Sequence, residues 1–159
     1  MVRMRLALAS AMVAAVALTG CGMQFPNDPE GTLERVRGDV LRVGATEHRP
    51  YVELDDVDEP TGSEPALVEK FAERLDADIA WTTGSEAELL HALEQGELDL
   101  VIGGFLHDTP WAERDSTTRP YVEEQTADGR TEKHVMIVPM GENAFLVELE
   151  TFLHEETGA

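Results

Sequence analysis

Between residues 40 and 102, strand-like apolar runs alternate with helix-like apolar stripes. The run Val40–Ala45 predicts a strand. A helix is predicted from Ser63, with Pro65 in its first turn, because apolar residues then recur at three- and four-residue spacing. That stripe comprises Leu67, Val68, Phe71, Ala72 and Leu75. Asp76 stands where a glycine more often ends a helix, so we expect Asp76 in or near a left-handed conformation.

The alternation continues through a second helix and a third strand. Ile79 to Thr82 predict a short strand, and Ser85 with Glu88 forms a capping box at the start of a helix. Leu89, Leu90 and Leu93 give that helix its buried face before Gly96 ends it. The run from Leu98 to Ile102 is nearly continuous, as in a central parallel strand. We therefore predict a three-layer α/β fold, with an open, mostly parallel sheet, helices on both faces and right-handed crossovers.

The last forty residues hold one more strand and one more helix. His134 to Val138 predict the strand, and Asn143 is positioned to cap the helix. The apolar side of that helix comprises Phe145, Leu146, Leu149, Phe152 and Leu153. Between Tyr121 and Lys133 the sequence has no buried pattern, which predicts a loop or a loose hairpin.

The first twenty residues have the pattern of a secretory signal peptide. Arg3 and Arg5 precede thirteen apolar or small residues, a stretch shorter than the roughly 20 residues of a membrane-spanning helix. Small residues before Cys21 resemble a bacterial lipobox, which implies cleavage after residue 20 and acylation of Cys21 by chains such as palmitate. The alternative is an ordinary signal peptide, or an uncleaved anchor, followed by an incidental cysteine. Residues 21–38 are interpreted as a tether and short helix, and residues 39–156 as a single lobe.

Charge excludes several classes of partner. The chain has 32 Asp and Glu against 12 Lys and Arg, and removing a leader with two arginines changes the formal net charge from −20 to −22. Such a surface repels nucleic acid and anionic headgroups, so we expect acyl chains on Cys21 to hold the protein on the bilayer. With the single cysteine acylated, no disulfide forms within the chain. The 139 residues after the leader suffice for one domain and not for two sizeable ones.

The sequence offers little support for catalysis or metal binding. The acidic stretch Glu53 to Glu59 lacks the glycine and the distal glutamate of a calcium loop, so a solvated loop is the preferred interpretation. Ser63, Ser85 and Ser116 have no nucleophile-elbow context, and no histidine pair has zinc spacing. We therefore predict a protein that is not an enzyme and that needs no metal or cofactor.

Four ordered segments resemble the extracellular solute-binding proteins of family 3, the polar-amino-acid receptors of bacterial ABC importers. They are Leu41 to Val52, Thr61 to Leu75, Ser85 to Gly104, and Thr109 to Tyr121 with its Thr-Arg-Pro-Tyr strand start. The stretch from His134 to Leu153 is similar to the closing strand and helix of the family. The resemblance implies one lobe of a type II periplasmic binding protein, located outside the cytoplasm.

The sequence departs from the family pattern in two places. The resemblance implies a second lobe between the Pro-Tyr segment and the closing strand, where this chain has only about a dozen residues without a buried pattern. That lobe usually supplies an aspartate for the α-amino group of the ligand. The family arginine usually lies three residues after the threonine, where this chain has Ala112, whereas Arg114 is five residues after Thr109.

A ligand site is expected beyond the carboxyl ends of the strands, where ligands gather in open α/β sheets. Glycines there admit close approach, a guanidinium can hold a carboxylate with two hydrogen bonds, and an aromatic face can cover the ligand. The candidate ligand-binding residues are Glu47, Tyr51, Gly103, Gly104, Phe105, Thr109 and Arg114. The alternative is that Tyr51 and Trp111 are aromatics at the edge of the core and that Arg114 forms a surface ion pair.

The leading hypothesis is a membrane-tethered, solute-binding-like lipoprotein that binds an amino acid or similar small polar solute for an ABC importer. Its partners are then that solute, the membrane subunits of the importer and the lipid bilayer. A rival hypothesis is a non-enzymatic interaction or sensory-accessory lipoprotein that uses the lobe as a scaffold without a ligand. Because one lobe leaves much of a ligand in water, we expect low affinity unless a second chain closes the site.

Overall fold

The computed structural model of the protein describes residues 28–56, 59–113 and 115–159. The predicted leader, Cys21 and Arg114 therefore lie outside the described residues. Within the described ranges, no helix is both long enough and apolar enough to cross a membrane.

Four α-helices, one 3₁₀ turn and seven short strands make up the described chain. The helices are α1 (Thr32–Val36), α2 (Ser63–Leu75), α3 (Glu86–Glu94) and α4 (Asn143–Thr157), and the 3₁₀ turn is Pro110–Glu113. The strands are β1 (Val40–Ala45), β2 (Asp78–Thr83), β3 (Leu100–Ile102), β4 (Ser116–Thr117), β5 (Val122–Gln125), β6 (Thr131–His134) and β7 (Ile137–Val138).

Five strands form one mixed sheet in the order β2-β1-β3-β7-β4. Strand β1 runs parallel to β2 and to β3, with Val43 opposite Trp81 on one side and opposite Leu100 on the other. Strand β7 is antiparallel to both β3 and β4. The predicted α/β fold is confirmed, and the antiparallel pairs at the β7 side make the sheet mixed.

The core has two parts, one on each face of the sheet. Leu100 and Ile102 belong to the cluster under α2 and α4, whereas Val101 between them belongs to the cluster under α3. Successive strand residues point to opposite faces, so a run that is apolar throughout is buried on both. The prediction of helices on both faces is therefore confirmed.

Local signals at the helix ends had mixed outcomes. The capping box at Ser85 is present, with both the Ser85 side chain and the Glu88 side chain accepting backbone N–H groups. Asp76 has φ 55° and ψ 40°, the left-handed conformation expected of it. The prediction that Asn143 caps the last helix was wrong, because Asn143 is the first helical residue and Glu142 stands before it. The N–H groups of Ala144 and Phe145 are accepted instead by the carboxylate of Asp28.

Two carboxylates join the starts of α1 and α4, because the carboxylate that precedes each helix accepts N–H groups at the start of the other. Asp28 also accepts the N–H of Leu33, and Glu142 accepts the N–H groups of Glu30 and Thr32, both at 3.0 Å. Thr32 and Val36 are buried, and Val36 lies in the core cluster under α2 and α4. The sequence placed the start of the lobe at residue 39, after α1. In the structure Val36 of α1 packs into the core of that lobe.

The segment after Tyr121 is a hairpin that leaves the main sheet. Strands β5 and β6 pair with each other, and a turn closed by the N–H of Thr126 and the carbonyl of Arg130 joins them. The prediction of one strand from His134 to Val138 was wrong, because β6 ends at His134 and only Ile137 and Val138 enter the five-stranded sheet. This two-stranded hairpin occupies the place where the family resemblance implies a second lobe.

Candidate functional site

The carboxyl ends of β1 and β3 converge with the hairpin to form a rim. Thr46 donates its N–H to the carbonyl of Ile102 at 3.1 Å, which joins the two strand ends. Val135 donates to the carbonyl of Phe105 at 2.9 Å, and Leu106 forms a β-bridge with His134. The hairpin is thereby held against the segment that follows β3.

A buried carboxylate, that of Glu64 in the first turn of α2, organises the centre of this rim. Glu64 is fully buried and accepts the N–H groups of Gly103 at 2.8 Å and Gly104 at 3.0 Å, and the Tyr121 hydroxyl donates to its other oxygen. Burial raises the pKa of Glu64, and these three hydrogen bonds oppose the rise. Both glycine N–H groups are therefore bound internally and unavailable to a ligand.

Gly103 and Gly104 are needed for close approach between parts of the chain itself. A Cβ at Gly103 would lie 2.1 Å from Cγ2 of Thr46, which forces a displacement. Gly104 has φ +62°, and a Cβ there would lie 2.9 Å from the His48 ring. The two glycines bring the end of β3 against the loop that follows β1.

Tyr51 lies on the hairpin side of the rim. It is 8% exposed, its ring centroid is 4.1 Å from that of His134, and its hydroxyl donates to Glu124 at 2.8 Å. Burial raises the pKa of Tyr51, and the nearby Glu124 carboxylate adds to the effect. Tyr51 therefore packs at the edge of the core with one side of its ring near His134.

His134 is the second buried titratable group of the rim. It is 1% exposed, and neither ring nitrogen makes a hydrogen bond of good geometry with the described residues, although the backbone of Gly104 is close enough to raise its pKa. Burial lowers the pKa of His134, and the carboxylates of Glu124 and Glu132 act in the opposite direction. Burial therefore disfavours the protonated imidazole.

The remaining candidate residues are spread more widely. Glu47 is exposed and pairs with Arg49 at 3.3 Å. Phe105 packs into the cluster under α3, and Thr109 is half-buried and donates its N–H to the carbonyl of Leu106. Trp111 packs against the same cluster as Phe105 and donates its indole N–H to Glu86 at 3.3 Å. The structure thus groups Tyr51 with the two glycines and places Phe105 and Trp111 toward α3.

Sequence reasoning missed Glu64, His134, Tyr121 and Glu124. Glu64 has the sequence signature of an ordinary acid in the first turn of a helix, and its partners lie 39, 40 and 57 residues away. A signal existed for the hairpin, since Glu132 and His134 are two residues apart and share one face of any strand.

A surface cavity of about 550 Å³ lies on another side of the hairpin. Its lining comes from the Arg119–Glu123 segment, Lys133 and the second half of α4 with the residues after it. Apart from Tyr121, which also bounds the rim, these residues are remote from the candidate ligand-binding set. The cavity therefore does not define the candidate site.

Comparison with known proteins identifies related sequences and folds. The sequence model of bacterial extracellular solute-binding proteins, family 3, matches residues 41–157. No curated protein matches the sequence of the chain. One similar solved structure is the arginine-bound form of domain 1 from TmArgBP, the ArgBP of T. maritima. It is 20% identical to this chain with a TM-score of 0.65, and the match covers 73% of this chain and 92% of that one. An arginine-bound point mutant of that domain has a TM-score of 0.69 at 19% identity, covering 80% of this chain and 99% of that one.

Two further solved structures extend the comparison. An ancestral amino acid-binding protein, described as a precursor of cyclohexadienyl dehydratase, is 14% identical with a TM-score of 0.67 and covers 80% of this chain and 94% of its own. A periplasmic binding protein of Salmonella typhimurium with high arginine specificity is 12% identical with a TM-score of 0.64, covering 76% and 94%. At these identities the similarity establishes a shared fold.

Proposed function

Because the chain belongs to the bacterial extracellular solute-binding proteins of family 3, we propose that it is a single-lobe receptor that binds an amino acid or similar small polar solute. The observation that carries the proposal is the family match over residues 41–157, which runs from β1 to the last residue of α4. The role is binding without catalysis. A site at the rim of β1 and β3 agrees with the general position of ligands in open α/β sheets.

A solved relative supports binding by one lobe. The chain covers 99% of a domain 1 structure from TmArgBP that was determined in an arginine-bound form. The present lobe has a similar extent, and its separate two-stranded hairpin lies beside the rim. A ligand on such a lobe stays partly in water, so its polar contacts are weaker than in an enclosed site.

Each residue of the proposed site has its own role toward the solute. We assign the ligand carboxylate to Arg114, because a guanidinium can form two parallel hydrogen bonds with it. Thr109, Glu47 and the face of Tyr51 complete the proposed site. The N–H groups of Gly103 and Gly104 are already bound to Glu64, so these glycines contribute by their small size rather than as donors.

A scaffold without a ligand is the second candidate function, and one observation favours it. Both the ring and the hydroxyl of Tyr51 are engaged by the hairpin, and Tyr51 is 8% exposed. The Tyr51 hydroxyl and the N–H groups of Gly103 and Gly104 are bound internally, so they need no ligand to satisfy them. In that case the lobe presents a surface to a protein partner.

A thermal-shift screen of amino acids separates these two functions. The screen uses the chain from residue 22, without the leader and Cys21. Ligands that bind only the folded state raise its melting temperature, so solute binding predicts an increase with at least one amino acid. Arg114→Lys should reduce that increase, because an ammonium cannot form the bidentate contact. Arg119→Lys is the matched control, since Arg119 pairs with Glu150 at 3.0 Å away from the rim. No increase with any amino acid would favour the scaffold.

We also propose that the protein is anchored on the outer side of the cell membrane through acylated Cys21 and serves the membrane subunits of an ABC importer. The sequence before Cys21 supports acylation, and two acyl chains suffice for stable anchoring at about 0.8 kcal/mol per buried CH₂. Cys21→Ser should release the protein from the membrane fraction or block its maturation. Unchanged fractionation and maturation of that variant would refute the anchor.

A further inference from the structure

A buried carboxylate without a basic partner lies beneath the rim. Glu64 is fully buried, and its carboxylate accepts the N–H groups of Gly103 and Gly104 and the hydroxyl of Tyr121. Among the residues that the structure describes, no lysine or arginine forms an ion pair with it. Burying a charge costs free energy, and an apolar side chain of similar size fills the same space without that cost. Packing alone therefore does not account for a glutamate at this position.

The carboxylate of Glu64 fixes a turn whose own sequence restrains it little. One oxygen of Glu64 accepts both glycine N–H groups, that of Gly103 at 2.8 Å and that of Gly104 at 3.0 Å. The carbonyl of Ile102, in the same peptide unit as the Gly103 N–H, accepts the N–H of Thr46 at 3.1 Å. Two consecutive glycines have few conformational restrictions of their own, and Gly104 has φ +62°. Glu64 therefore supplies a restraint that the glycines lack.

Glu64 also contacts the other two segments that bound the rim. Its own N–H donates to the carbonyl of Tyr51 at 3.1 Å, in the loop after β1. Its second carboxylate oxygen accepts the hydroxyl of Tyr121, the residue before β5. One residue at the start of α2 thus joins the loop after β1, the end of β3 and the hairpin. A displacement of its carboxylate would change the relative positions of all three segments.

We propose that Glu64 is a positioning residue for the solute site and that it acts through the turn of Gly103 and Gly104 rather than by touching the solute. Its carboxylate is closed to solvent, whereas the turn lies at the carboxyl end of β3, where ligands gather in open α/β sheets. A binding site needs its contact groups held in place by supporting hydrogen bonds. This inference deepens the proposed function and rests on it for the location of the solute at the rim.

Calorimetric titration of two Glu64 variants tests the proposal, with arginine, glutamine, histidine and glutamate as probes and the full chain in a non-ionic detergent. Glu64→Met keeps the length of the side chain and removes the acceptor of both glycine N–H groups. It should weaken the binding of a probe about tenfold, the effect of roughly one misplaced hydrogen bond to the solute. Glu64→Gln keeps one oxygen for the glycines, and its amide group can donate to the Tyr121 oxygen, so its affinity should stay within about threefold of wild type.

Glu142→Met is the matched control. Glu142 is also a buried carboxylate that accepts two backbone N–H groups, those of Glu30 and Thr32, both at 3.0 Å. Its replacement should lower the free energy of unfolding and leave the affinity for the probe unchanged, because those N–H groups lie at the start of α1 and not at the rim. The titrations are run at a temperature at which circular dichroism shows every variant to be folded. A loss of affinity then reports on the site and not on the amount of folded protein.

A second measurement uses the wild-type chain and does not depend on the folding of any variant. The backbone amide resonances of Gly103 and Gly104 should shift when a probe binds, whereas those of Glu30 and Thr32 should not. Unchanged glycine resonances in a chain that binds a probe overturn the proposal.

The outcomes separate this inference from the proposed function. Equal affinities of Glu64→Met and wild type, or equal losses in Glu64→Met and Glu142→Met, overturn the positioning role and leave amino-acid binding intact. A loss in Glu64→Gln as large as that in Glu64→Met shows that the charge of Glu64 is required, which also overturns a role through the geometry of the turn. Absence of binding of every probe by the wild-type chain contradicts both proposals.

Discussion

At the scale of single residues, the buried imidazole of His134 makes stability depend on pH. Its pKa in the fold is lowered by burial, whereas an unfolded histidine titrates near about 6.5. The stability that comes from neutral His134 is therefore present above about pH 6.5 and lost as the pH falls through the lowered pKa. Glu64 acts in the opposite sense, because its raised pKa removes stability as the pH rises.

His134→Phe should make the fold less sensitive to acid. The variant keeps an aromatic ring against Tyr51 and removes two buried nitrogens that make no hydrogen bond of good geometry, so its free energy of unfolding at pH 7 should be within about 1 kcal/mol of wild type or higher. Between pH 7 and pH 5, urea denaturation should show a smaller loss of stability than in wild type. The exposed His91, changed to Gln, is the control and should keep the wild-type dependence. Identical pH profiles for His134→Phe and wild type would contradict a buried, neutral His134.

At the scale of elements, hydrogen bonds from backbone N–H groups to Asp28 and Glu142 connect the first described residues with the last helix. Glu142 is 2% exposed and accepts the N–H groups of Glu30 and Thr32. Glu142→Ala should lower the free energy of unfolding by about 1 to 2 kcal/mol, because capping contacts at a helix start are lost. Glu34→Ala is the control in α1, the helix whose first N–H groups Glu142 accepts, since the Glu34 side chain is 85% exposed and its loss should cost less than about 0.5 kcal/mol. Similar urea midpoints for the two variants would show that the contacts of Glu142 do not hold the helices together.

Elements defined by neighbouring residues were predictable from sequence. The capping box at Ser85 and the left-handed conformation of Asp76 depend on residues within one turn. The spacing of apolar residues in α2 indicates directly which face of that helix is buried. The prediction of one strand from His134 to Val138 was wrong because His134 ends a strand of the hairpin, whereas Ile137 and Val138 form a strand of the main sheet. Asn143 failed as a cap because Asp28, more than a hundred residues earlier, supplies the acceptor.

At the scale of the whole molecule, a single lobe is built around β3. Ile102 is fully buried in the cluster under α2 and α4, whereas Val122 on the hairpin is half-buried at its margin. Ile102→Ala should cost about 2 to 5 kcal/mol, since it removes buried atoms and leaves a cavity. Val122→Ala should cost about 1 kcal/mol. Denaturant melts measure both losses, and equal losses would contradict a core centred on β3.

The family and the single lobe could be predicted from the sequence, whereas the hydrogen bonds and packing contacts inside the rim could not. The ordered segments from Leu41 to Tyr121 carry the resemblance, and the family match over residues 41–157 establishes it. Glu64, Tyr121 and His134 meet only through long-range packing, which no local pattern encodes. The roles assigned to Glu47, Thr109 and Arg114 stay predictions.

Calorimetric titration of a panel of amino acids, arginine included, into the wild-type chain from residue 22 tests the central claim, that a single lobe holds a solute. The account predicts weak, saturable heat with one ligand per chain, because the rim offers polar contacts without enclosing the ligand. Raising the salt concentration should weaken that binding, since its charged contacts are open to solvent. Absence of saturable heat with every amino acid of the panel at millimolar concentration, in a chain that unfolds cooperatively, would contradict the account and favour the scaffold.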